Sequence, residues 1–161
     1  MGRSVAFLIL SALLVGLRPT LSGQSIESVA QRFLPEAAFQ EISEFLTGTK
    51  SDGGRMVIRS VPGSRRGYYW IIRVDKNWEQ LPADCTLELR YIRPDDPEVR
   101  VLRLDMPATK PPRREFYLGL TGKDWPFDEG VHPTAWQIRI IARDGTTVVT
   151  EAESFLWKRP G

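Results

Sequence analysis

Cysteine is almost absent from this chain: Cys85 stands alone among 161 residues, so no intramolecular disulfide can brace the fold in any compartment. The fold must rest on an apolar core. Histidine is equally scarce, and His132 is the single candidate for imidazole acid–base chemistry. No Gly-x-Ser-x-Gly elbow, His-Glu-x-x-His helix or Gly-rich phosphate loop occurs, which removes the sequence support for serine hydrolysis, zinc hydrolysis and phosphate-loop chemistry. Long apolar runs are missing too. The longest, Val5 to Leu17, has 13 apolar or small residues, against the roughly 20 that a membrane-spanning helix requires.

What is present begins with a leader. Arg3, the apolar run and the small residues Thr20, Ser22 and Gly23 compose an export signal, so residues 1–23 are expected to be removed and the product to be periplasmic or secreted. Retention as an uncleaved signal anchor is the alternative, and cleavage after Ser22 or Gly23 fits equally. Leu21-Ser22-Gly23 is followed by Gln24 rather than a cysteine, so no lipid anchor is expected. Arg3 and Arg18 are the leader's only ionisable side chains; of 22 basic residues, 20 remain against 20 acidic ones. A neutral chain offers no electrostatic case for nucleic acid. Arginine outnumbers lysine 15 to 5 beyond the leader, which suits planar pairing with carboxylates.

Residues 24–48 have a helical period. Ile26, Val29, Ala30 and Phe33 fall at i, i+3, i+4 and i+7, which predicts a short helix from about Ser25. Pro35 interrupts it and opens a second helix to about Leu46, with Ala38, Ile42 and Phe45 on its apolar face and Gly48 as C-cap. Residues 49–54 have linker composition. From 55 to 161 the period changes to two, and seven strands are expected at about 55–60, 67–75, 86–93, 98–105, 114–121, 135–143 and 146–157. The predicted core comprises Tyr68, Trp70, Ile72 and Val74; Leu87, Leu89 and Tyr91; Phe116, Leu118 and Leu120; and Trp136, Ile138, Ile140 and Ala142. Cys85 shares the parity of Leu87, which makes it buried and inert. Asp144-Gly145 marks a two-residue hairpin, because a primed turn needs positive φ. A parity change between Val149 and Leu156 predicts a bulge near Ala152.

The expected fold class is therefore mainly β: a seven-stranded antiparallel sandwich preceded by one or two short N-terminal α-helices. Gly67-Tyr-Tyr-Trp-Ile-Ile-Arg-Val and Ala135-Trp-Gln-Ile-Arg-Ile-Ile-Ala-Arg-Asp-Gly-Thr resemble strands of bacterial immunoglobulin-like and fibronectin-type-III-like sandwiches, over residues 55–157. The chain lacks the cysteine pair that links the sheets of antibody domains. The resemblance implies a fold and no activity, since such sandwiches host many functions.

Candidate chemistry is sparse. Cys85 and His132 would form a nucleophile–base pair only with an accessible thiol, and the strand pattern buries it. Asp95, Asp96 and Glu98, then Asp124, Asp128 and Glu129, form two acidic loops; neither has EF-hand spacing, and solvated turns are the plainer reading. Their spacing says nothing about a glycosidase pair, whose separation is set in space. No metal and no cofactor is expected. Trp70 and Trp136 belong to core faces, whereas Trp78, Trp125 and Trp157 lie in loops or near the chain end, where aromatics stack on sugars, anchor a partner or close the ends of a sandwich. Asp124, Trp125 and Asp128, with Phe127, frame the best-defined position; Trp78 and Trp157 complete the candidate contacts. Arg73, Arg90, Arg139 and Arg143 are expected to point to solvent and pair across strands with Glu88, Asp75 or Glu115. The N-terminal helices, acidic on their polar face, are expected to pack on the sandwich or on a partner rather than on anionic lipid.

These observations give an exported, non-catalytic, monomeric sandwich that works through an envelope or secreted protein. The rival is a carbohydrate-binding module using the loop tryptophans, and an enzyme comes third. A sugar binder needs those tryptophans exposed together; a partner-binding module needs an unpaired edge strand or an apolar patch.

Overall fold

A computed structural model describes residues 26–40, 52–75, 81, 84–106 and 114–158. The leader, residues 41–46 of the expected second helix, its Gly48 cap, residues 49–51 of the linker and Trp78 lie outside the described residues. Eight strands are present among the described residues: β1 (Ile26–Leu34), β2 (Met56–Arg59), β3 (Gly67–Val74), β4 (Thr86–Arg93), β5 (Asp96–Asp105), β6 (Glu115–Thr121), β7 (Ala135–Ile141) and β8 (Val148–Glu153). They form two four-stranded sheets, β1-β3-β6-β2 and β5-β4-β7-β8, in a β-sandwich-like fold.

Alternation along the strands produces the core. Tyr68, Trp70, Ile72, Val74, Leu87, Leu89, Tyr91, Phe116, Leu118, Leu120, Trp136, Ile138 and Ile140 are buried in one cluster, with Ala142 packed against it. Full burial of a Leu, Ile or Phe side chain stabilises by roughly 1.5–3 kcal/mol, so these positions carry the fold without a disulfide. Cys85 is buried beside them.

The expected first helix is a strand. β1 pairs antiparallel with β3, from Leu34 against Gly67 to Ile26 against Val74, with an irregularity between Ile26 and Ser28. That bulge explains the misleading period. It shifts the parity by one residue, so Ile26, Val29 and Phe33 share the core face of a strand at spacings that also suit a helix. Ala30, which the helical reading places on the apolar face, is exposed. Beyond Pro35 there is a 3-10 turn, Glu36–Phe39, rather than an α-helix, and among the described residues no α-helix occurs.

Nor is the sandwich wholly antiparallel. β2 pairs parallel with β6, Met56 against Phe116 through Arg59 against Gly119. The chain can do this because residues 60–66 arch over the end of β6 before entering β3. Ser60 N–H donates to Gly119 O (2.9 Å) and Thr121 N–H to Ser60 Oγ (2.9 Å). The buried Thr121 hydroxyl accepts from Val61 N–H and donates to Val61 O, each at 3.1 Å.

Two turn expectations change in detail. The β7–β8 hairpin forms where Asp144-Gly145 predicts it, but Ala142 N–H donates to Thr147 O (2.9 Å) and Gly145 N–H to Ala142 O (2.9 Å), which encloses four residues rather than two. Gly145 has φ +71° and Asp144 is not left-handed, so the turn is not a primed one. Asp144 instead accepts from Thr146 N–H (2.9 Å) and Thr147 N–H (2.8 Å). The β8 irregularity falls between the partners of Ile140 and Ile141, which makes Val149 the extra residue; Ala152 stays paired with Ile138.

Candidate functional site

Four of the five candidate contact residues lie near one end of the sandwich. Thr134 N–H donates to Ile92 O (2.9 Å), which ties the loop carrying Asp124, Trp125 and Asp128 to the end of β4. Ser154 is bonded to Trp136 through both its N–H (2.9 Å) and its hydroxyl (3.0 Å), so the turn containing Trp157 leaves at the same level of the sheet. The two acidic loops meet there as well. Arg93, held by Asp95 (Nε–Oδ1 2.8 Å), lies 4.9 Å from the centroid of the Phe127 ring.

Trp125 does not offer a surface. It is 2% exposed, with its ring 5.2 Å from Tyr68 and 4.9 Å from Phe127, and it belongs to the core cluster. Periodicity could not reveal this, because a loop residue has no parity. Asp124 is half-buried in the 3-10 turn Gly122–Asp124, and Asp128 is exposed and paired with Arg66, whose guanidinium lies over Phe33. Trp157 is half-buried in a turn whose neighbours Phe155 and Leu156 are exposed. Two of the three acids of the other loop hold an arginine: Asp95 holds Arg93 and Asp96 holds Arg100 (2.8 Å). Among the described residues no three His, Cys, Asp or Glu side chains are grouped to hold a metal.

His132 and Cys85 do not come together. The imidazole Nδ1 lies 3.0 Å from Tyr68 Oη, which also donates to Gln31 Oε1 (3.2 Å). Cys85 precedes β4 while the His132 loop is tied to its far end, a separation on the order of 20 Å at about 3.3 Å per residue. Burial pushes the Cys85 thiol pKa up, with a further push from Asp84, so the thiol stays protonated at neutral pH. Burial likewise pushes Tyr68 up to about 12.

The other candidate surface is the outer face of the β5-β4-β7-β8 sheet. Glu88 is 1% exposed although it points away from the core. It is enclosed by three arginines: Arg103 Nε donates to Oε2 (2.8 Å), Arg139 Nη1 to Oε1 (3.2 Å), and Arg90 Nε stands 3.5 Å from Oε1 without a hydrogen bond. The expected cross-strand pairing of Arg139 with Glu88 and of Arg73 with Glu115 (3.9 Å) is present, whereas Arg90 stands beside Glu88 on the same strand and Arg143 pairs with Asp84.

Beside this cluster β5 forms the edge of the sheet, and on its outer face Val99 and Val101 are 51% and 50% exposed. Leu102 and Leu104 face the core from the other parity. Apolar residues at both parities of Val99-Arg-Val-Leu-Arg-Leu are the signal that marks this strand, and core assignment by alternation alone passes over it. Comparison with family models, with curated proteins and with solved structures finds no match, so the geometry of these two surfaces carries the functional argument.

Proposed function

We propose that the chain is an exported, non-catalytic, immunoglobulin-like module that acts as a monomer by binding an envelope or secreted protein along the edge of β5. The strand order supports the immunoglobulin-like reading: β3 and β6 pair in one sheet, and β5-β4-β7-β8 follow the order C′-C-F-G in the other. The departure is β2, parallel to β6 where an immunoglobulin strand D would run antiparallel.

One observation carries the partner-binding reading. β5 is the longest strand, ten residues, and its outer edge has no neighbour among the described residues, yet it keeps two half-exposed valines. An unpaired ladder with apolar side chains is what strand addition uses. The other edges offer less. β2 has four residues, while β1 and β8 approach each other, with Ile26 N–H 3.3 Å from Thr150 Oγ1. A carbohydrate-binding reading draws less support, because Trp125 has no exposed face for a sugar to stack on.

Affinity capture from envelope extract with the full chain and with its Val101→Lys variant tests the edge. A lysine there blocks strand addition and should change stability by no more than about 0.5 kcal/mol. The expected result is a partner retained by the native chain and lost by the variant; equal recovery from both sinks the proposal. Truncation up to Gly48 is unsuitable as a control, since it removes β1 from its sheet.

A further inference from the structure

The geometry points to an extended peptide of alternating acidic and apolar residues as the partner that fits β5, an inference that rests on the edge-binding reading above. A strand added to β5 would place side chains about 5 Å from Val99, Val101 and Arg103, which share the outer face. Val99 and Val101 favour β-branched or other apolar residues opposite them. Arg103 favours a carboxylate. Its side chain is 69% exposed and shares Glu88 with Arg90 and Arg139, so three guanidiniums surround one carboxylate. Of the other acids whose register places them on this face, Asp105 follows Arg103 at the next outer position of β5, Glu151 stands opposite Arg139, and Glu153 lies with it on β8. Arg103 is the cation that a strand added to β5 would meet directly. An antiparallel partner reading acid-x-apolar-x-apolar would meet Arg103, Val101 and Val99 in turn.

A second copy of the chain fits this edge less well. Antiparallel self-pairing with a shared outer face sets Arg103 opposite Pro97, Val99 or Val101 when centred on Arg100, Val101 or Leu102, and opposite another Arg103 when centred on itself. Centring on Leu104 brings Arg103 to Asp105, but Val99 and Val101 then run past the end of the opposing strand. None of these registers both covers the valines and neutralises the arginine.

The test uses a labelled peptide, Thr-Glu-Thr-Val-Thr-Val-Thr-Glu-Thr, whose acids flank the valines for either strand direction, and a counterpart with both glutamates replaced by lysine. Each is titrated against the full chain by fluorescence anisotropy, with backbone amide shifts to locate the site. The acidic peptide should bind about ten-fold more tightly than the basic one, and the difference should shrink between about 50 mM and about 500 mM salt. Arg103→Gln should reduce the acidic peptide to the affinity of the basic one, and Val101→Lys should remove both. Equal affinities overturn the inference, as do absence of binding up to about 1 mM peptide, amide shifts on β1, β2 or β8, or a concentration-dependent dimer formed through β5. If Val101→Lys loses its envelope partner while the two peptides bind alike, the edge reading stands and only the acidic partner fails. If the variant keeps its partner, the edge reading itself fails.

Discussion

On the outer face of the β1-β3-β6-β2 sheet Tyr69 is fully buried; on the outer face of the β5-β4-β7-β8 sheet Val99 and Val101 stand half in water. Both faces are built by strands of period two, so the difference comes from what lies above them. Over the first sheet the turn after β1 inserts Phe39, 5.1 Å from the Tyr69 ring, and Arg59 stacks 4.8 Å above Phe39. Gly119 makes room beneath, since a Cβ there would stand 2.4 Å from the Tyr69 ring. Arg59 then donates to Tyr69 Oη (3.0 Å) and to both oxygens of Asp52 (3.1 and 2.5 Å), while Tyr69 donates to Arg65 O (2.5 Å). Burial disfavours the charge on Arg59, but the bonds to Asp52 and Tyr69 outweigh it and hold its pKa up. Over the second sheet no such cover is present among the described residues. There Glu88 is buried among the arginines around it, of which Arg103 is mostly exposed.

A sharp contrast predicts different responses to mutation. Phe39→Ala should be the most damaging change, about 3 kcal/mol of unfolding free energy by urea denaturation, because it uncovers Tyr69 and leaves Arg59 without its stacking surface. A loss below about 1 kcal/mol would mean that the first face is not truly covered. Glu88→Gln should cost less, about 2 kcal/mol, since it leaves three guanidiniums around a neutral amide but Arg103 and Arg90 can turn to solvent. Added salt should recover part of that loss by screening the arginines and should leave the Phe39→Ala loss unchanged.

The smallest effect concerns the β7–β8 turn. Hydrogen bonds from the Thr147 hydroxyl and from the Thr147 and Thr146 N–H groups lower the Asp144 pKa from 3.8 to about 2. Because the folded value lies below the unfolded one, the contribution of this group is complete above about pH 4 and is lost as pH falls through about 2. A carboxyl-carbon titration by NMR with a midpoint near 4 would show that the turn does not hold the carboxylate.

Much of the sandwich is legible in the sequence because a half-buried strand alternates. The seven expected segments each overlap an observed strand, and their core residues are buried where parity places them, with Ala142 partly so. β1 was obscured for a physical reason: a bulge after Ile26 gives a strand the apolar spacing of a helix. Phe39 and Tyr69 escaped because one sheet face is covered by a residue from outside the sheet, which no local period announces. Of the candidate site, the cross-strand arginine pairing was readable from parity, whereas the burial of Trp125 and the free edge of β5 depend on strand order.

The sequence by itself determined where seven of the eight described strands lie and which side of most of them is apolar, since that information is carried by neighbours two residues apart. The tertiary structure decided which strands become edges, that β2 runs parallel to β6, and that one outer face is covered while the other is open. Those outcomes rest on contacts between residues far apart in the chain, whose energies depend on the assembled sheets rather than on any local pattern.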